Sequence, residues 1–329
     1  MLLLPLLACT AGLAAAVAAV PASNALHRVY TFADGSFLEN IAVRANGHLI
    51  FTSITQPRVY TIDPTLSVPT PRVLVEFNAS VATIVSGITE YEPDRFAFIA
   101  ARFDPQTYTT EGAALWSIDL HHSTTQPLTP RKITDLPDVK FGNGLIALPK
   151  FPGTVLISDS ILGALWTVNV HSGAKHIVAQ IDAFAASNPA IPVPLGINGI
   201  RTHGSDLYFV NTNLQRISRV PIHADGRLAG NVTVLASPLT SAGQVTFDDF
   251  AVDRAGRAWV ATDFDALDVV LPSGKVVVAA SGLNPNPPPQ TAGPTSAAFG
   301  RGSKRQEHTL YVTTAFGILY ALDTSKVRV

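Results

Sequence analysis

Glu39, Asn143, Asn198, Asp248 and Ser296 are the residues of this 329-residue chain whose types and spacing can do chemistry together. Each stands at the start of an apolar run, and such starts return about every 50 residues. Two carboxylates with amide and hydroxyl oxygens form an oxygen-rich set suited to Ca²⁺ or another hard divalent cation. The same carboxylates, Glu39 and Asp248, can instead serve as general acid and base. A purely structural role is the third option, with these polar groups satisfying backbone atoms as turn residues do. The first two options require residues far apart in sequence to converge.

The elements around them explain how. Six segments share one layout: a polar anchor and apolar strand, a turn, a second apolar strand, another turn and a third strand. The first runs Glu39-Asn40-Ile41-Ala42-Val43, Leu49-Ile50-Phe51-Thr52, then Arg58-Val59-Tyr60-Thr61-Ile62. The third starts at Asn143-Gly144-Leu145, the fourth at Asn198-Gly199-Ile200, the fifth at Asp248-Asp249-Phe250 and the sixth at Ser296-Ala297-Ala298. The second, from Gly87-Ile88-Thr89, reads as lacking a polar anchor. A fourth strand precedes each anchor, as in Val73-Leu74-Val75 and Val276-Val277-Val278, and its sixth copy is Arg28-Val29-Tyr30-Thr31. A repeat of this length means a propeller or a solenoid. The pattern therefore predicts an all-β chain, one six-bladed β-propeller over 23–329, closed by the N-terminal strand so that no sheet edge stays open.

In such a ring the innermost strands line a central channel, and the five anchors gather at one mouth. Phe141, Phe247, Phe250 and Phe299 lie beside them in sequence, either as apolar walls or as packing between blades. Two long apolar connections, Ala183 to Ile197 and Leu283 to Pro294, reach the same face, either as a roof or as passive links.

Composition narrows the chemistry. With 23 Lys+Arg against 24 Asp+Glu the chain is nearly neutral and has no electrostatic footprint for nucleic acid. Its single cysteine, Cys9, excludes an internal disulfide and a thiolate metal site. No Gly-x-Ser-x-Gly elbow, Walker loop or His-Glu-x-x-His motif is present. Residues 1–22 carry no charge and end in Val20-Pro21-Ala22, which reads as a secretory signal peptide; an uncleaved membrane anchor is the competing reading. Cleavage predicts an extracellular protein without a membrane segment, and it makes the acceptor triplets at Asn78 and Asn231 usable for glycosylation.

Two resemblances follow from these motifs. Glu39, Asn143-Gly144-Leu145, Asp248 with Gly256-Arg257-Ala258-Trp259-Val260, and Thr295-Ser296-Ala297-Ala298-Phe299-Gly300 resemble the gluconolactonase/SMP-30 propellers. That resemblance implies a metal-dependent lactonase, with Glu39, Asn143 and Asp248 as ligands of a divalent cation. The chain departs from that family at Gly87-Ile88-Thr89, where the family carries a substrate-contacting Asn. The opening Phe37-Leu38-Glu39-Asn40-Ile41-Ala42-Val43-Arg44, with Asn46-Gly47, more closely resembles a branch of secreted fungal propellers that includes hetero-Diels–Alderases. This second resemblance implies a cofactor-independent cyclase of secondary metabolism, joining a quinone methide (tropolone- or polyketide-derived) to an alkene such as a sesquiterpene. On that reading Glu39 and Asp248 are the acid/base or carbonyl-polarising pair. Asn143, Asn198 and Ser296 orient oxygens, and the partners are small apolar metabolites. A non-catalytic binding propeller is the remaining alternative.

Overall fold

The structure is a computed structural model that describes residues 25–121, 127–239, 245–262, 265–284 and 293–329. The segment 1–22 read as a signal peptide, and 285–292 of the second long connection, lie outside the described residues. Six four-stranded antiparallel sheets form the blades of a β-propeller. Their inner strands are Leu38–Val43, Ile84–Glu92, Gly142–Ala147, Ile197–His203, Phe247–Val252 and Pro294–Phe299. In the first five blades the sheet order follows the chain. In the sixth the order is Leu26–Thr31, Ile318–Asp323, Thr309–Thr314, Pro294–Phe299, so the N-terminal strand completes the last blade.

The strands arise where apolar and β-branched residues crowd a pleated surface, and short turns separate them. Gly47 shows why the turns sit where they do. Its φ of 88° is accessible to glycine without a Cβ penalty, and Asn46 Oδ1 accepts from the His48 amide across the same turn. Blades pack face to face through apolar clusters. One joins Leu38, Ile41, Phe51 and Tyr60 of the first blade to Tyr311, Leu319 and Ala321 of the sixth.

A bulge interrupts every inner strand near its start. It falls between Leu38 and Ile41, Val85 and Ile88, Gly142 and Leu145, Ile197 and Ile200, Phe247 and Phe250, and Pro294 and Ser296. A bulge sets extra residues against the partner strand and re-aims their side chains. By register, Glu39, Ser86, Asn143, Asn198, Asp248 and Thr295 share the first level of the channel. Asn40, Gly87, Gly144, Gly199, Asp249 and Ser296 share the second. Two sequence expectations change here. The second blade does carry a polar anchor, Ser86, and in the sixth the anchor equivalent to Glu39 is Thr295, with Ser296 one level deeper.

Candidate active site at the mouth of the channel

Hydroxyl groups tie neighbouring strand starts together at four of the six junctions between blades. Ser86 Oγ donates to the Gly142 carbonyl at 2.6 Å, Ser160 Oγ to Ile197 at 2.6 Å, Thr212 Oγ1 to Phe247 at 3.0 Å and Thr295 Oγ1 to Leu38 at 2.7 Å. Each bond crosses from one blade to the next, so the anchors are mounted on a frame with its own hydrogen bonds satisfied.

Glu39 sits on this frame almost fully buried, 6% exposed. Burial, and then the nearby negative charge of Asp249, push its carboxyl up to about 8. At neutral pH it therefore keeps its proton and can donate a hydrogen bond. Asn198 stands between two acceptors. Its Nδ2 donates to Asp248 Oδ1 at 2.8 Å and to Thr212 Oγ1 at 2.9 Å, which orients the partly exposed Asp248 carboxylate. Its Oδ1 is buried without a partner, as is the Oδ1 of Asn143. Two unmatched amide oxygens at one level with the Asp248 carboxylate, and with Glu39 once it loses its proton, are hard donors, and this set fits a divalent cation. Among the described residues no cluster of three His, Cys, Asp or Glu side chains offers another metal site.

One level deeper lies a carboxylate that sequence reasoning passed over. Asp249 is 1% exposed and receives Arg201 Nη2 at 2.7 Å, Ser296 Oγ at 2.8 Å and the Phe250 amide at 2.8 Å. Its room comes from glycine: a Cβ on Gly199 would lie 2.2 Å from Asp249 Oδ1. Gly199→Ala is expected to destabilise the protein by about 1–3 kcal/mol through this overlap. The backbone Cα of Asp249 would also lie only 2.7 Å away. The midpoint of urea unfolding measures the effect, and an unchanged midpoint would show that both the carboxylate and its backbone can give way.

The phenylalanines take other places. Phe247 and Phe250 are fully buried among Tyr208, Val210, Ile217 and Val260, between the fourth and fifth blades. Phe141 is buried against Phe103, ring centroids 4.6 Å apart. Phe299 ends its strand away from the anchors, edge-on to Trp259 at 6.0 Å. The core accounts for the first three, and only Phe299 keeps partial exposure. The connection from Ala183 to Ile197 is firmly held. Asn211 Nδ2 donates to the carbonyls of Ala183 and Ala185, and Asn213 Nδ2 lies within 3.1 Å of those of Asn188, Ile191 and Val193. The two asparagines in Asn211-Thr212-Asn213 were the available sequence signal for this.

No family model matches the chain. Over 311 residues it is 29% identical to a protein provisionally named hetero-Diels-Alderase asR5, from Sarocladium schorii, with 87% of this chain and 77% of that protein covered. A protein from a Phoma species, provisionally named a hetero-Diels-Alderase, is 27% identical over 319 residues, covering 89% and 87%. Among solved structures, the calcium-binding protein regucalcin from Agrobacterium tumefaciens matches with a TM-score of 0.61 at 17% identity, over 87% of this chain and 89% of its own. The chain is thus similar in sequence to proteins named as hetero-Diels–Alderases and in fold to the gluconolactonase/regucalcin propellers.

Proposed function

We propose that the chain is a cofactor-independent hetero-Diels–Alderase that joins a quinone-methide heterodiene to an alkene such as a terpene. The observation that carries this reading is Glu39: a buried carboxyl whose pKa burial and Asp249 raise to about 8, on the same register level of the channel as Asn143, Asn198 and Asp248. Similarity to the two proteins named for this activity supports it. In the cycloaddition the two new σ bonds form from π electrons, and no proton is transferred overall. The Glu39 hydroxyl donates to the heterodiene carbonyl, where negative charge grows. The unmatched Oδ1 atoms of Asn143 and Asn198 accept from substrate hydroxyls and so orient them, and the hydroxyl frame keeps the pose fixed, which lowers the entropic barrier. If the heterodiene arises in the site, Asp248 takes the phenolic proton of a benzylic alcohol while Glu39 protonates its departing hydroxyl, and water leaves. The proton on Asp248 then returns to Glu39 through solvent, which restores the donor before the cycloaddition. The test supplies a quinone-methide precursor and an alkene and compares adduct rate and stereoisomer ratio with and without protein. Equality of both across several substrate pairs would sink the reading.

The unmatched oxygens of Asn143 and Asn198 favour one second reading, a metal-dependent lactonase. There Glu39, Asn143 and Asp248 would hold a divalent cation, which polarises a lactone carbonyl, while Asp248 guides the attacking water. Lactone hydrolysis abolished by chelator and restored by Ca²⁺ is the expected result on this reading. Full activity of a metal-free preparation removes it. A binding module without turnover is distinguished by saturable binding and no product.

The reading places the protein in the secretory pathway. Asn78 and Asn231 are exposed, as glycosylation requires. Mass spectrometry of protein from a fungal host is expected to show loss of the first twenty-odd residues; an intact Met1 terminus on soluble cytosolic protein would contradict it.

A further inference from the structure

The channel has a second mouth, where the inner strands end, and a cavity of about 310 Å³ opens there. All six blades line it. At the level below Asp249 each contributes one residue: Ala42, Thr89, Ile146, Arg201, Ala251 and Ala298. Three alanines leave the space that larger side chains would fill.

The polar groups of this cup are mostly engaged. Thr89 Oγ1 accepts from the Ala147 amide. Glu90 at the rim accepts from the Asp94 amide and pairs with Arg301. Arg201 differs. Its guanidinium donates to the Ile200 carbonyl and to Asp249 Oδ2, both at 2.7 Å, and these bonds use two of five N–H donors. Its side chain remains 19% exposed and lines the cavity. A planar cationic fork with unspent donors, set in an apolar cup, complements a carboxylate on a small hydrocarbon body. The volume sits at the low end for ligand sites, so the body must be small.

We propose that this second mouth binds a small apolar carboxylic acid, its carboxylate on Arg201 and its hydrocarbon against Ala42, Ile146, Ala251 and Ala298. The site is separate from the Glu39 end and does not depend on the reaction assigned there. Asp249 already shares the charge of Arg201, so affinity is modest, with a Kd for benzoate on the order of 0.1–1 mM.

Calorimetric titration of the folded protein with benzoate and with benzamide tests this. The acid is expected to bind at least about tenfold more tightly than the amide, because only the acid pairs with the guanidinium. Replacing Arg201 would strand Asp249, so the decisive variants fill the cup instead. Ala42→Leu and Ala298→Leu leave Arg201 and Asp249 in place. Each is expected to weaken benzoate by about tenfold or more while the protein still melts cooperatively. Absence of saturation at ~10 mM, equal affinity for acid and amide, or unchanged affinity in both leucine variants overturns the proposal.

Discussion

Replacing Glu39 by Gln is expected to stabilise the protein above neutral pH and, on the proposed cyclase reading, Glu39→Ala is expected to remove most of the rate acceleration. The stability effect follows from the proton. Glu39 releases it near 4.5 in the unfolded chain and at about 8 in the folded protein. Between those values the folded state holds a proton that the unfolded chain has lost, so stability falls as pH rises from about 4.5 to about 8. At pH 7 the loss is on the order of 3 kcal/mol. Urea midpoints at pH 5 and pH 8 should therefore differ in the native protein and converge in Glu39→Gln; parallel shifts in both would refute the assignment. The rate effect comes from the lost donor. Removing one aligned donor to a growing oxyanion costs roughly 10²–10³-fold, and initial rates of adduct formation measure it. A bound cation would hold Glu39 ionised, so added Ca²⁺ that flattens the pH slope would favour the lactonase reading.

Deleting residues Ala25 to Phe32 is expected to prevent cooperative folding. The strand Leu26–Thr31 pairs along Ile318–Asp323 from Leu26↔Leu322 to Thr31↔Ile318. Phe32 stands edge-on to Tyr30 at 5.1 Å, to Phe51 at 6.0 Å and to Tyr60 at 5.1 Å, so the segment also joins the sixth blade to the first. A fully buried aromatic or aliphatic side chain contributes about 1.5–3 kcal/mol. Losing Val29, Tyr30 and Phe32 from that cluster, although they are only half-buried, removes several kcal/mol. Total stability is about 5–15 kcal/mol, so the remainder has little margin. Circular dichroism during heating checks this, and an unchanged melting curve would mean the ring closes by blade packing alone.

The ring itself was legible because it is written six times. Val73-Leu74-Val75 or Leu156-Ile157 is an ordinary strand signal, but its recurrence with turns at a constant spacing leaves few folds. The mouth was legible in part. Glu39, Asn143, Asn198 and Asp248 do share one level. Ser86 was missed because alternation alone does not reveal a bulge, and a bulge moves the anchor forward from Gly87-Ile88. Asp249 was passed over because it directly follows Asp248. Only the register shift between Phe247 and Phe250 separates their levels. Arg201 gave no signal, since a lone arginine in a strand usually faces water. The phenylalanines next to the anchors were ambiguous for a related reason: neighbours along a strand point to opposite faces, and adjacency in sequence does not imply a shared surface.

Because Leu26 pairs with Leu322, the strand that opens the described ring waits for the one that ends it. Contacts of such long separation form slowly. Meanwhile Leu26–Thr31 is an unpaired edge, with His27 and Arg28 as its guard against pairing with a neighbouring chain. A product of interrupted translation that lacks Ile318–Asp323 cannot hide this edge, however well its first five blades have formed. Completion of the ring is thereby read out as closure of a circle, and a product that stops before Ile318 presents itself to proteases and chaperones as unfinished.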